Sequence, residues 1–308
     1  MPVIPNLGTL GTLAAVPQAA MNYPVRNVAG IDVVDLAGGL FVMGGPGLND
    51  APAHWTRVSP FAMGRRPVTG GDFGPIMGRD VTEEIKGHPV VHVSALEADQ
   101  FIAEFNKRNG TQFGSPTEAE WEYAARGEVV DLRARMGAEG IKEADFADWV
   151  EGRFENIFAH CLGSTIYADP MRKDFQAVLK SAARIYGYSV FGHPEGLDGG
   201  KVWYNKDQIT SVTDEAAERR ASSFNLIDMI GNVLEWVADR YDENAYSTLS
   251  PIDPVSEKEK SRVYRGGSGF DDDPVDLRAA YRDGDHPGDR DYNLGFRVAL
   301  AGPQDSPS

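Results

Sequence analysis

Apolar residues early in the chain come in short bursts separated by glycine: Ile31-Asp-Val-Val-Asp-Leu, then Gly38-Gly-Leu-Phe-Val-Met-Gly-Gly. Bursts of that length predict short strands joined by turns. From Ser94 to Asn109 the period changes, and Leu96, Phe101, Ile102 and Phe105 recur at helical spacing. Ser94 is the expected N-cap, Glu97 completes a capping box, and Asn109-Gly110 closes the helix with a left-handed residue. A second helix is predicted in Ser115-Pro-Thr-Glu-Ala-Glu-Trp-Glu-Tyr-Ala-Ala-Arg-Gly127, opened by Pro116 or Thr117, with acids in its first turn. Further on, Arg262-Val-Tyr-Arg-Gly-Gly-Ser reads as a strand with a glycine kink, and Asn293-Leu-Gly-Phe-Arg-Val-Ala-Leu300 as a closing strand. Two main helices, short strands and much irregular chain predict an α+β fold.

The same pattern divides the chain. Residues 1–29 read as an N-terminal arm, since Pro2, Pro5, Pro17 and Pro24 interrupt every run. One domain is expected over 30–302, with an atypical insert at about 128–222 that holds a helix at 175–186 and a turn-rich stretch at 192–200. Residues 303–308 form a tail. With 308 residues the chain can bury a core without staples, and 34 Gly with 19 Pro fit a turn-rich fold.

Charge narrows the partners. A net charge of -16 argues against nucleic acid and against anionic membranes, both of which need clustered Lys and Arg. A neutral or basic partner fits better, although acidity serves solubility as well. No basic residue precedes Arg26 and no run of about 18 apolar residues occurs, so neither a secretion signal nor a membrane span is expected. Cys161 has no cysteine to pair with inside the chain and reads as a small buried hydrophobe. His88 and His92 are four apart, but Val-Val-His-Val predicts a strand on which they stand too far apart to chelate.

Four segments resemble the formylglycine-generating-enzyme or sulfatase-modifying-factor family, in that family's order. They are Gly39-Leu-Phe-Val-Met-Gly, Ser115-Pro-Thr-Glu-Ala-Glu-Trp-Glu-Tyr-Ala-Ala-Arg-Gly, Asn225-Leu-Ile-Asp-Met-Ile-Gly-Asn-Val-Leu-Glu-Trp, and Arg265-Gly-Gly-Ser with Gly295-Phe-Arg297. Pro67-Val-Thr69 and Pro89-Val-Val-His-Val-Ser94 resemble its linking strands. The resemblance spans 31–300 and implies a C-type-lectin-like fold. Trp121, Tyr123 and Trp236 are then core anchors whose polar tips are satisfied locally. The family's enzymes bind copper through two cysteines after Gly-Gly-Ser, whereas Ser268 to Arg282 contains none, so oxidase chemistry does not carry over. The related iron-dependent sulfoxide synthases need a three-histidine site that the spacing here does not provide. No cofactor is required on this reading. The resemblance does imply a structural Ca²⁺ held by Asp228, Gly231, Val233 and Glu235. The alternative is that Asn232 and Glu235 pin a buried turn by hydrogen bonds.

Between Gly269 and Tyr292 lie eight aspartates, at 271, 272, 273, 276, 283, 285, 289 and 291, and no glutamate, lysine, glutamine, methionine or tryptophan. Asp, Tyr, His, Gly, Phe, Val and Ala are all reached from an Asn codon by changing its adenines; the missing five are not. The frame Arg265-Gly-Gly-Ser, Leu277-Arg-Ala-Ala, Arg282, Pro287, Arg290 and Gly295-Phe-Arg297 resembles the variable proteins of diversity-generating retroelements. That resemblance implies variable, ligand-binding positions at Gly269, Phe270, Asp271, Asp273, Tyr281, Asp283, Gly284, Asp285, His286, Asp289, Asp291 and Tyr292. Eight aspartates against Arg278, Arg282 and Arg290 favour a basic epitope. The alternatives are an ordinary loop whose aspartates cap their own backbone and an ion site at Asp283-Gly-Asp285. The expectation is a non-enzymatic recognition protein displayed on a phage particle or cell surface; the competing class is an oxidase of the same family.

Overall fold

The computed structural model describes residues 23–44, 54–126, 209–218, 221–222, 224–270, 276 and 278–302. Cys161, Asp271, Asp273, residues 1–22 of the arm, the tail and nearly all of the insert, including its expected helix, lie outside them.

The arm does not run to residue 29. Strand β1 (Val25–Val28) pairs antiparallel with β2 (Ile31–Leu36), and the two residues between them, Ala29 and Gly30, have φ of 53° and 100°. Positive φ at both positions gives the mirror-image turn whose twist suits a tight hairpin, so Pro24 precedes a strand instead of excluding one. Strand β3 (Gly39–Met43) pairs with β4 (His54–Val58). Strand β5 (Phe61–Gly64) joins β2, and with β6 (Phe113–Gly114) and β11 (Ala299–Ala301) makes a five-stranded sheet ordered β1-β2-β5-β11-β6. A four-stranded sheet, ordered β10-β7-β8-β9, is built from β7 (Leu234–Arg240), β8 (Arg262–Arg265), β9 (Arg282–Asp285) and β10 (Leu294–Phe296).

The predicted closing strand is thus two strands in two sheets. Phe296 pairs with Trp236, and Ala299 with Met63. Between them Arg297, fully buried, turns its guanidinium to Glu235, and the chain changes partners there.

The two main helices both form. Helix α2 (Ala95–Asn109) has the Ser94–Glu97 capping box and ends on Gly110 at φ 65°. It buries Ala95, Ala98, Phe101, Ile102 and Phe105. Leu96 does not belong to that face: it is 55% exposed, because five positions from Phe101 place it about 140° around the helix. Helix α3 (Glu118–Arg126) follows β6. A further helix, α1 (Gly70–Met77), occupies a stretch in which Gly70, Gly71, Gly74 and Pro75 conceal it. Thr69 and Asp72 cap it reciprocally, and Arg66 holds Asp72 at 2.6 Å. Two short helices, α4 (Glu215–Glu218) and α5 (Ala245–Thr248), complete the set among the described residues.

The segment around His92 is not the expected strand. Apart from a single bridge between Thr69 and Pro89, residues 89–94 are irregular, and His92 has φ 52°, which interrupts any strand alternation.

The core has two main parts. One gathers Phe41, Phe61, Trp121, Tyr123 and Leu226; the other stacks Phe73 on Phe101 at 5.4 Å and sets Phe296 edge-on to Phe101 at 5.5 Å. The anchoring aromatics have partners for their polar tips: Trp121 donates to Glu235 at 2.8 Å, Trp236 to the Val93 carbonyl at 3.0 Å, and Tyr123 to the Gly38 carbonyl at 2.7 Å.

Candidate functional site

Two buried arginines bracket the segment that the sequence singles out. Arg265 ends β8, after which Gly266 and Gly267 turn the chain away at φ 105° and 65°. A Cβ at Gly266 would meet the Trp121 ring at 3.1 Å, so glycine there satisfies both backbone and space. The Arg265 guanidinium contacts Glu122 at 2.5 Å and Glu118 at 3.1 Å, and donates to the carbonyls of Ala279 and Ala280 at 2.8 and 3.0 Å. One side chain therefore ties the outgoing limb to the returning one.

Arg282 repeats the device at the start of β9. It reaches Glu118 at 2.6 and 3.1 Å and lies over the rings of Tyr241 and Tyr246, 4.7 Å from each centroid. Tyr246 donates to Glu118 at 3.0 Å. Among the described residues the two arginines face two glutamates, and Asp239 is a third acid buried beside them. Its carboxylate accepts the backbone N–H of Glu118 at 2.6 Å and of Ser256 at 2.8 Å. Burial, then the neighbouring Glu118, pushes its pKa up to about 7. Burial and then Glu118 likewise raise the Tyr246 hydroxyl well above its ordinary value.

The second bracket is Arg297. It grips Glu235 through two contacts of 2.6 Å and donates to the carbonyls of Ile227, Asp228 and Gly64. This geometry does not fit the calcium that the family resemblance implies. Glu235 is neutralised by Arg297 and also accepts from Trp121; Asp228 accepts from Asn232 at 2.9 Å. A cation would have to compete with a guanidinium that already occupies the glutamate. Asn232 and Glu235 instead pin a buried turn, with Asn232 bonded to both Thr210 main-chain groups and Gly269 donating to the Asn232 carbonyl at 2.9 Å.

The sequence-selected positions divide by exposure. Asp285, His286, Asp289, Asp291 and Tyr292 are exposed, while Phe270, Tyr281 and Asp283 are half-buried. Phe270 meets Tyr292 edge-on at 4.8 Å. Two positions do not suit free variation. Gly269 is buried, and a Cβ on Gly284 would stand 2.6 Å from Tyr241 Cγ, with Tyr241 Cβ closer still. Asp283, Gly284 and Asp285 lie on β9, paired with Tyr264, Val263 and Arg262, and not on an irregular loop. Asp283, Asp285 and Asp291 each accept the N–H of the next residue at 2.6–2.8 Å, the self-capping role that the sequence leaves open.

Sequence reasoning missed Glu118, Glu122, Asp239 and Tyr246. The signal for the glutamates was available: 118 and 122 share a helical face with Trp121 and Ala125, all buried, so they are core acids and not first-turn decoration.

A sulfatase-modifying factor enzyme 1-like domain matches residues 19–301. The chain belongs to this family. Among its sequence relatives are formylglycine-generating enzymes of Streptomyces coelicolor, 28% identical over 82% of this chain and 60% of that protein, and of Bos taurus, 24% identical over 76% and 50%. A Mus musculus protein named inactive C-alpha-formylglycine-generating enzyme 2 is 26% identical over 80% of this chain and 57% of its own length. The chain thus spans 60% or less of these three. Among solved structures, Treponema denticola variable protein 1 superposes with a TM-score of 0.61 at 18% identity, covering 91% of this chain and 99% of that one. PvdO from Pseudomonas aeruginosa gives 0.56 at 22%, covering 92% and 100%. These likenesses show the fold, which is α+β and C-type-lectin-like. Among the described residues no helix is long and apolar enough to cross a membrane.

Proposed function

We propose that this member of the sulfatase-modifying-factor family is a non-enzymatic recognition protein, the variable protein of a diversity-generating retroelement, whose ligand is a basic or neutral macromolecule. The observation that supports it most is mechanical. Side chains at 285, 286, 289, 291 and 292 stand in solvent on a limb held by Arg282 and Arg297, so they can change without disturbing what holds them. Carriage on a phage particle or cell surface belongs to the same proposal.

The competing reading, an oxidase, draws on relatives named as formylglycine-generating enzymes. Against it stands the lack of any cysteine from Ser268 to Arg282. Two measurements separate the readings. The DNA beside the gene should hold a near-copy of codons 269–292, adenine-rich at the variable positions, next to a reverse transcriptase; a locus without either refutes the retroelement. Elemental analysis of the purified chain should find no stoichiometric copper or iron. Either metal at one per chain, with redox turnover, would make the chain an oxidase.

A further inference from the structure

The sequence confines recognition to residues 269–292, yet the structure lays part of that limb against a second element. His92 N–H donates to the Asp291 carbonyl at 2.9 Å, Leu96 N–H to the Pro287 carbonyl at 3.2 Å, and Arg290 Nε reaches Glu97 at 2.7 Å. Three ties fasten 287–291 alongside 92–97, the entry to α2.

Exposed apolar residues flank this seam. Five large hydrophobic side chains are exposed among the described residues, and two of them, Leu96 at 55% and Tyr292 at 49%, lie on its two sides. Phe270 backs Tyr292 edge-on, and His92 is exposed on a backbone whose φ of 52° is costly for a residue with a side chain.

The charges are sorted as well. Glu97 pairs with Arg290 and stands 3.9 Å from Arg79, while Asp99 pairs with Arg262 at 3.2 Å, so the seam's arginines are matched by acids of α2. Asp285, Asp289 and Asp291 are exposed, and among the described residues no Lys or Arg lies within ion-pair distance of them; Asp289 has His286 at 3.9 Å. Exposed apolar side chains together with exposed aspartates that no Lys or Arg neutralises are complementary to a cationic partner.

We infer that the recognition surface is composite. His92 and Leu96, outside the diversified codons, form its fixed half, and Phe270, His286 and Tyr292 its changeable half. Its partner is a protein segment that presents an aromatic or aliphatic side chain flanked by Lys or Arg. This rests on the recognition reading above. The fixed half gives every version of the limb the same apolar floor, and the changeable half sets which side chain is accepted.

The test is selection of phage-displayed random peptides of about twelve residues on the full chain. Affinities of the enriched peptides are then measured for the wild type, Leu96→Asp, His92→Ala and Tyr292→Ala, with a thermal melt of each variant. Aspartate suits the first turn of a helix, so Leu96→Asp keeps α2 intact; if it melts lower, Leu96→Gln replaces it. The expected result is enrichment of basic-apolar peptides whose binding weakens about tenfold with Leu96→Asp as well as with Tyr292→Ala. Loss with Tyr292→Ala but none with Leu96→Asp or His92→Ala overturns the composite surface and leaves recognition by the limb standing. Enrichment of no basic peptide, or equal binding by all variants, overturns recognition at this face altogether.

Discussion

Replacing Glu118 by Gln tests whether the acids under the limb are what hold it. Glu118 accepts four bonds: from Arg265 at 3.1 Å, from Arg282 at 2.6 and 3.1 Å, and from Tyr246 at 3.0 Å, and its side chain is 3% exposed. Glutamine keeps one acceptor oxygen but turns an NH₂ toward guanidinium groups, and removes one of the two negative charges that balance two buried arginines. Breaking a buried pair by removing one partner costs about 3–5 kcal/mol. For a domain of this size that lowers Tm by on the order of 10 °C. Urea unfolding followed by circular dichroism measures it. The control is Asp35→Asn, which removes the Arg26–Asp35 contact of 2.7 Å between half-exposed side chains and should cost at most about 1 kcal/mol. A Glu118→Gln loss no larger than the control would show that the cluster is solvated in solution and does not fasten the limb. Peptide binding should fall in the same variant, since Arg282 begins β9.

Three further outcomes follow from the geometry. Asp239 has a folded pKa of about 7, above its ordinary 3.8, so the stability it contributes is full below about pH 4 and is lost as pH rises through 7; the difference in unfolding free energy between wild type and Asp239→Asn should change across that window, and a pH-independent difference would contradict the assignment. Gly284→Ala should destabilise by about 1–3 kcal/mol through overpacking on Tyr241, whereas Gly288→Ala, whose new methyl meets the movable His286 ring at 3.2 Å, should leave the melt unchanged; equal effects would refute the packing argument. Excess EDTA should not move Tm, because Arg297 occupies Glu235; a clear drop would restore a structural calcium.

Legibility in the sequence followed the locality of the physics. Helix α2 was readable to its caps because Ser94, Glu97 and Gly110 act within one turn. Helix α1 was not, since glycine and proline lower its propensity and the close approach that excludes larger residues, such as Arg79 O at 2.6 Å from a Cβ on Gly74, is tertiary. Strand β9 was hidden because Asp and Gly carry little strand propensity, and pairing with β8 overrides it. Within the site, the arginines at 265 and 297 were marked as scaffold by their motifs, but Glu118 and Asp239 were not: what makes an acid a core residue is the cation across from it, far away in the chain. Leu96 shows the opposite error, an apolar residue near a periodic run but off its face.

The split of the last strand sets a rule for how the limb can change. Past Tyr292 the chain must deliver Leu294–Phe296 to β7 and Ala299–Ala301 into the middle of the other sheet, between β5 and β6, in fixed register. An inserted or deleted residue between Gly288 and Tyr292 would put the Asp291 carbonyl out of step with His92 and Arg290 out of step with Glu97, the ties that fasten this stretch to the entry of α2. The fold therefore polices the length of the limb and is indifferent to the spelling of its exposed positions, a constraint that a process which swaps letters without adding or removing any would always satisfy.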